Sequence, residues 1–176
     1  ADHHDVLYVG YVNKLNEIEE KLKVVDLSKA NATYSDLREL KKEEVFATNG
    51  VYLHEDYFDN LGGAGKPEGE IAKLIERDFG SYENWLKEFL ACGIAARGWV
   101  VLAYNLKDSK LHNYISDTHD QGGVWGALPL LILDVYEHAY FLDFQTDRAG
   151  YIDTFFDNLD WAVVNDWVSK YQIPFT

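Results

Sequence analysis

Up to Arg97 the apolar side chains of this chain recur three and four residues apart, and from Trp99 to Leu133 they do not. That change of period separates a helical front from a part that must contain strands. Leu7, Tyr11, Leu15, Ile18 and Leu22 fall on one helical face, and Glu17, Glu19, Glu20, Lys21 and Lys23 fill the others. Asp26–Tyr34 has Ser, Asn and Thr without period and reads as a connection. A second helix is predicted from near Leu37 or Lys42 to about Leu61, with Phe46, Gly50, His54, Phe58 and Leu61 facing inward. Two long helices on a short link predict an antiparallel hairpin.

The run Gly62-Gly63-Ala64-Gly65-Lys66-Pro67 is read as an interhelix linker. As a phosphate loop it fails, because Pro67 stands where Ser or Thr should follow the Lys and no strand precedes it. Helices are expected over Glu70–Phe79 and Ser81–Arg97, with Ser81 as N-cap and Glu83 in the first turn. Trp99–Tyr104 and Leu111–Ser116 are β-rich around a polar turn at Lys107–Lys110. The Gly-rich loop Asp117–Ala127 leads to the apolar run Leu128–Leu133, a strand covered on both faces. Helices are expected again over Arg148–Leu159 and Asp160–Tyr171. The fold class is therefore α+β. An N-terminal antiparallel helical hairpin, residues 1–64, is followed by an α/β portion, residues 65–176, with a three-stranded antiparallel sheet.

Composition narrows the functions open to such a fold. The chain has 176 residues, 47% of them hydrophobic, enough to bury a core. Its net charge of −14 argues against sequence-independent binding to nucleic acid or to an anionic membrane. One cysteine excludes an intramolecular disulfide and a CxxC metal site. Leu128–Leu133 is too short to cross a bilayer, and no signal-peptide pattern is present, so a cytoplasmic chain is expected. Methionine is absent even at position 1, which predicts a processed, trimmed or engineered form of the translated chain.

The histidines and one aspartate carry the chemistry. His3 lies one turn before Leu7, on the apolar stripe of the first helix. His54 lies one turn after Gly50, on that of the second. A His on an apolar face is by itself more often a satisfied core residue than a ligand. Asp134 changes this reading: it ends the apolar strand, and His138 follows four residues later. A buried carboxylate needs a strong partner, since an unpaired buried charge costs several kcal/mol or more. The bland reading is an Asp–His hydrogen bond. The sharp one is a metal site built from His3, His54, Asp134 and His138. Three imidazoles and one carboxylate suit Mn, Fe, Zn, Cu or Ni, and not Mg or Ca.

Tyr11-Val12-Asn13-Lys14-Leu15-Asn16, Leu53-His54-Glu55-Asp56-Tyr57-Phe58-Asp59-Asn60-Leu61 and Asp134-Val135-Tyr136-Glu137-His138-Ala139-Tyr140 resemble the iron/manganese superoxide dismutase family. The family hallmark is Asp-Val-Trp-Glu-His-Ala-Tyr, kept here except for Tyr136. Arg148–Tyr151 and Asn158–Trp161 resemble its closing segment.

The resemblance implies that His3, His54, Asp134 and His138 hold one mononuclear Fe or Mn ion per chain. It implies that Tyr11 stands over the metal and that Trp99, Phe58 and Trp161 line its pocket. It further implies a homodimer or homotetramer, with Glu137 bonded across the interface to the partner's metal-ligating His. The implied reaction is the dismutation of superoxide to O2 and H2O2 by alternate one-electron reduction and oxidation of the metal. A non-catalytic metal-binding member of the family is the alternative. A non-haem iron oxygenase is a second one, and the third His counts against it.

The chain departs from the family at several positions. Leu7 and Tyr8 replace a usual His pair, and Phe141 replaces the Tyr that meets the first of that pair from the other subunit. The family places a Gln near the metal-bound solvent from either of two positions; these hold Gly50 and His119 here, which points to His119 as the group that tunes that solvent. The usual segment before the first ligand is not part of this sequence, so His3 is expected to be loosely held. Arg148 and Lys14 are candidates for steering an anion into an acidic protein. Cys92, in an apolar helical stretch, is read as inert, His4 and His112 as surface residues, and Asp143, Asp147, Asp153 and Asp157 as a solvated face.

Overall fold

The computed structural model describes residues 2–63 and 67–174. The predicted linker and the boundary expected between residues 64 and 65 fall across residues 64–66, outside the described residues. The chain divides into two compact units, Ala1–His54 and Glu55–Thr176.

The first unit is helical. A π-helical segment, Asp2–Tyr8, runs directly into α1, Val9–Leu22. Ile18 is the buried residue of the α1 stripe, and Leu7, Tyr11, Leu15 and Leu22 beside it are half-buried. On the solvent side Glu17 takes ion pairs from both Lys14 and Lys21, at the i,i+3 and i,i+4 spacings a helix brings together. A short 3₁₀ turn, Leu27–Lys29, precedes α2, Asp36–Asp59. Helix α2 begins one residue earlier than the earliest start expected, because Ser35 accepts the Arg38 N–H as an N-cap and Asp36 and Glu39 occupy the first turn. Its buried residues are Ala47, Gly50, Val51, His54 and Tyr57, a stripe centred one residue away from the predicted Phe46 and Phe58.

In the second unit, α3 spans Gly69–Phe79 and ends at Gly80, whose φ of 81° is the left-handed conformation of a C-cap. Helix α4, Tyr82–Ala95, is capped by Ser81, which accepts the Asn84 N–H as the sequence indicates. Three antiparallel strands follow: β1 (Trp99–Asn105), β2 (Lys110–Ser116) and β3 (Ala127–Asp134), in the order β2-β1-β3. The β1–β3 register slips between Leu102 and Ala103, where Leu102 faces Leu131 but Ala103 faces Pro129. Pro129 has no N–H for the ladder, and an edge strand with a bulge is where a proline is tolerated. Three helices close the unit: α5 (Glu137–Phe144), α6 (Arg148–Asp157) and α7 (Trp161–Lys170). Helix α5 has no counterpart in the sequence reading. Asp147 and Asp160 cap α6 and α7.

The core of this unit is aromatic. Trp85, Phe89, Phe156 and Trp161 meet at ring-centroid distances of 5.4–5.9 Å, several of them edge to face. Among the described residues no helix is long and apolar enough to cross a membrane.

Candidate metal centre

Each unit holds a pair of candidate side chains. In the first, the π-helical segment carries His3, half-buried, with its ring edge-on to that of His54 at 5.1 Å. The ligand nitrogens of the two rings lie within 4.8 Å of each other. His54 is fully buried on α2, and its Nδ1 donates to the Gly50 carbonyl one turn earlier. That bond selects the tautomer with its lone pair on Nε2, the form that binds a metal. Tyr11 stacks on the His54 ring at 5.5 Å. A Cβ on Gly50 would stand 2.9 Å from Tyr11 Cδ1, so only glycine lets the tyrosine lie this close to α2.

In the second unit the strand β3 ends on Asp134, which is 0% exposed, and α5 presents His138 in its first turn. Asp134 Oδ2 and His138 Nε2 are 3.1 Å apart. The other carboxylate oxygen accepts the Tyr136 N–H at 2.9 Å. The β1–β3 register sets Trp99 directly opposite Asp134. Tyr136 stacks on His138 at 5.2 Å and meets Trp99 edge to face at 6.0 Å, so the position that is Trp in the family hallmark still holds a ring against His138.

His119 is 3% exposed. Trp99 Nε1 donates to its Nδ1 at 2.9 Å, and its ring lies 5.4 Å from that of Tyr136. Ser116 Oγ shares its one hydroxyl hydrogen between the Thr118 and Gln121 carbonyls and so ties the loop around His119.

His3 and His54 in the first unit, and Asp134 and His138 in the second, are the candidate ligands, and each offers one ligand atom. Three neutral imidazoles and a buried carboxylate form a donor set that fits Fe or Mn, and a cation offsets the cost of burying Asp134.

Other sequence candidates separate clearly. Arg148 donates to the Ala96 carbonyl at 2.8 Å and to Tyr140 Oη at 3.1 Å, which makes it partly structural. With Arg97 it also flanks a cavity of about 600 Å³ that His138, Tyr136 and Glu137 line. Lys14 is held by Glu17 at the surface. Trp161 belongs to the aromatic core around Trp85, and Phe58 packs on Tyr57. Burial and then Glu88 push the Cys92 thiol up, as an unreactive cysteine requires. Tyr151, which the sequence reading assigned no role, donates its hydroxyl to the Asp134 carbonyl at 2.7 Å.

Residues 67–167 match the family described as iron/manganese superoxide dismutases, C-terminal domain. The chain is 44% identical over 173 residues to the superoxide dismutase [Fe] of Aquifex aeolicus, covering 96% of this chain and 81% of that protein. It is 42% identical over 167 residues to the superoxide dismutase [Mn] of Haloarcula marismortui, covering 90% and 78%. It is also 42% identical over 162 residues to the superoxide dismutase [Fe] of Cupriavidus metallidurans, covering 90% and 81%. The chain belongs to the iron/manganese superoxide dismutase family. This is an oxidoreductase family, and relatives named for either metal match at similar identity. The His and Asp candidates lie on the N-terminal helical segment, on α2, at the end of β3 and at the start of α5.

Proposed function

We propose that the chain is a superoxide dismutase that holds one Fe or Mn ion at His3, His54, Asp134 and His138. Two superoxide ions and two protons give one O2 and one H2O2. The observation that carries this reading is the fully buried Asp134 carboxylate within 3.1 Å of His138, in a chain of this family. A bound Fe or Mn supplies one-electron exchange with superoxide, which redox-inert Zn does not.

The side chains do the rest. His54 is held as a neutral ligand by the Gly50 carbonyl, and Asp134 is oriented by the Tyr136 N–H. Because Trp99 donates to Nδ1 of His119, that imidazole carries its hydrogen on Nε2, the nitrogen that would bond a metal-bound solvent. Tyr11 is half-buried over His54, and its hydroxyl hands protons inward. The reaction consumes a proton for each superoxide, so donors of this kind are required. Arg97 and Arg148, beside the cavity at His138, favour the approach of a small anion to a chain of net charge −14.

The functional unit is a homodimer or a higher even-numbered assembly. Glu137 and His138 are exposed on α5 next to exposed Phe141 and Leu142, a surface that suits a second copy. Glu137 would accept from the partner copy's counterpart of His138 and fix its tautomer.

Metal titration of the parent, His54→Ala and Asp134→Ala tests the site. The reading expects one Fe or Mn per parent chain and loss of stoichiometric binding in both variants. Unchanged affinity in either variant contradicts it.

A further inference from the structure

The free edge of β3 is closed by side chains. Among the described residues β3 pairs with β1 alone. Ile132 N–H donates to Asn60 Oδ1 at 2.8 Å, and the Asp134 carbonyl accepts from Tyr151 Oη at 2.7 Å. Residues two apart in a strand present their backbone groups to the same edge, so Asn60 and Tyr151 cap one row. Tyr151 Oη in turn lies 3.1 Å from Tyr57 Oη. Tyr151 has a single hydroxyl hydrogen and spends it on Asp134, so Tyr57 is the donor of that second bond. The chain of donation runs one way, from Tyr57 to Tyr151 to the backbone of the proposed ligand.

We infer that Tyr151 is a positioning residue for Asp134 and that Tyr57 acts through it; this rests on the reading of Asp134 as a metal ligand.

Three contacts fix the peptide at the end of β3. Tyr151 holds the Asp134 carbonyl, the Tyr136 N–H holds its carboxylate, and Val135 N–H holds the Gly98 carbonyl at 2.8 Å. Of these only the tyrosine bond comes from a side chain. Together with the Val135 N–H it sets the 134–135 peptide plane and with it the direction in which the carboxylate leaves the backbone. Both tyrosines are locked: Tyr57 stacks on Phe155 with planes 8° apart, and Tyr151 on Tyr140 with planes 20° apart. Consecutive donations in a dry interior polarise each other, which is how Tyr57 strengthens a bond it does not touch.

The experiment is Mn²⁺ competition titration of the parent, Tyr151→Phe, Tyr57→Phe, the double variant and Asp134→Ala, with the reduction potential of each Fe-loaded tyrosine variant. Loss of a partner behind a metal ligand weakens binding by about 10-fold or more. Tyr151→Phe is therefore expected to raise the dissociation constant about 10-fold and to move the potential. Tyr57→Phe is expected to do so by about 3-fold, and the double variant to be no weaker than Tyr151→Phe alone. Parent-like binding and potential in Tyr151→Phe, with binding lost in Asp134→Ala, overturns this inference and leaves the site standing. Parent-like binding in Asp134→Ala overturns the site reading itself. Losses that add in the double variant show two independent packing contributions and overturn the chain of donation. Should Tyr151→Phe fold poorly, Tyr57→Phe carries the test, because it leaves the bond to Asp134 in place: weaker binding supports the inference and unchanged binding overturns it.

Discussion

Trp99 donates its indole N–H to Nδ1 of His119 across 2.9 Å, and this one bond decides which nitrogen of the imidazole keeps a proton. An indole can only donate, so His119 accepts at Nδ1 and carries its hydrogen on Nε2. Both side chains are buried, so water does not compete for either group.

Trp99→Phe keeps a ring in the pocket and removes the donor. Metal content should stay near that of the parent while turnover falls by about 10-fold and the reduction potential moves. His119→Ala should do the same, and His119→Gln should retain more activity, because an amide can still donate. Turnover and potential unchanged in all three variants would remove His119 from the mechanism.

Gly50→Ala sets two effects against each other. Alanine improves helix propensity by about 1 kcal/mol. The added Cβ, however, would meet Cδ1 and Cγ of Tyr11 at 2.9 and 3.0 Å, near the stem of a ring held against His54 and Phe46. Overpacking of this kind costs about 1–3 kcal/mol. We expect a net loss of about 1 kcal/mol in denaturant unfolding, with a displaced Tyr11 and lower turnover. A gain in stability with unchanged turnover would show that Tyr11 is free to move.

Much of the fold was legible in the sequence where apolar period and burial coincide. The hairpin, the Ser81 cap and the three strands lie within a few residues of their expected places. Helix α5 was not legible: its eight residues carry Ala139, Tyr140, Phe141, Leu142 and Phe144 with no polar face to give a period. The bulge at Pro129 was hidden inside a run read as one strand. The Asp134–His138 pair could be read because a carboxylate ending an apolar strand demands a partner. Tyr57 and Tyr151 could not, since their hydroxyls meet across 94 residues of chain and a tyrosine in sequence reads only as aromatic bulk. The distinction between Trp99 as a lining ring and as a hydrogen-bond donor likewise needed coordinates.

Asp56 is a stability liability near neutral pH. Burial, with Asp59 and Glu55 adding like charge, pushes its carboxyl up to about 6. An acid raised in the folded state binds its proton more tightly there than in the unfolded chain, whose carboxyl titrates near 3.9. Stability therefore falls as pH rises from about 4 to about 6, and the penalty is complete above that window. Asp56→Asn should stabilise the metal-free protein by about 1 kcal/mol near pH 7.5 and by almost nothing near pH 4. Equal effects at the two pH values in thermal unfolding would contradict this.

Glu137→Gln and Phe141→Asp test the assembly through α5. Both should shift the parent toward monomer in sedimentation velocity, Phe141→Asp more strongly, because it places a charge in an apolar contact. A parent that is monomeric at micromolar concentration and fully active would exclude the Glu137 bridge.

The central claim is tested most directly by following superoxide after a radiolytic pulse, using protein loaded with Fe or Mn and assayed for metal. The account predicts catalytic decay proportional to bound metal, many turnovers per ion, and one O2 and one H2O2 for every two superoxide ions. Fully metal-loaded protein that consumes superoxide no faster than the metal-free chain would contradict it.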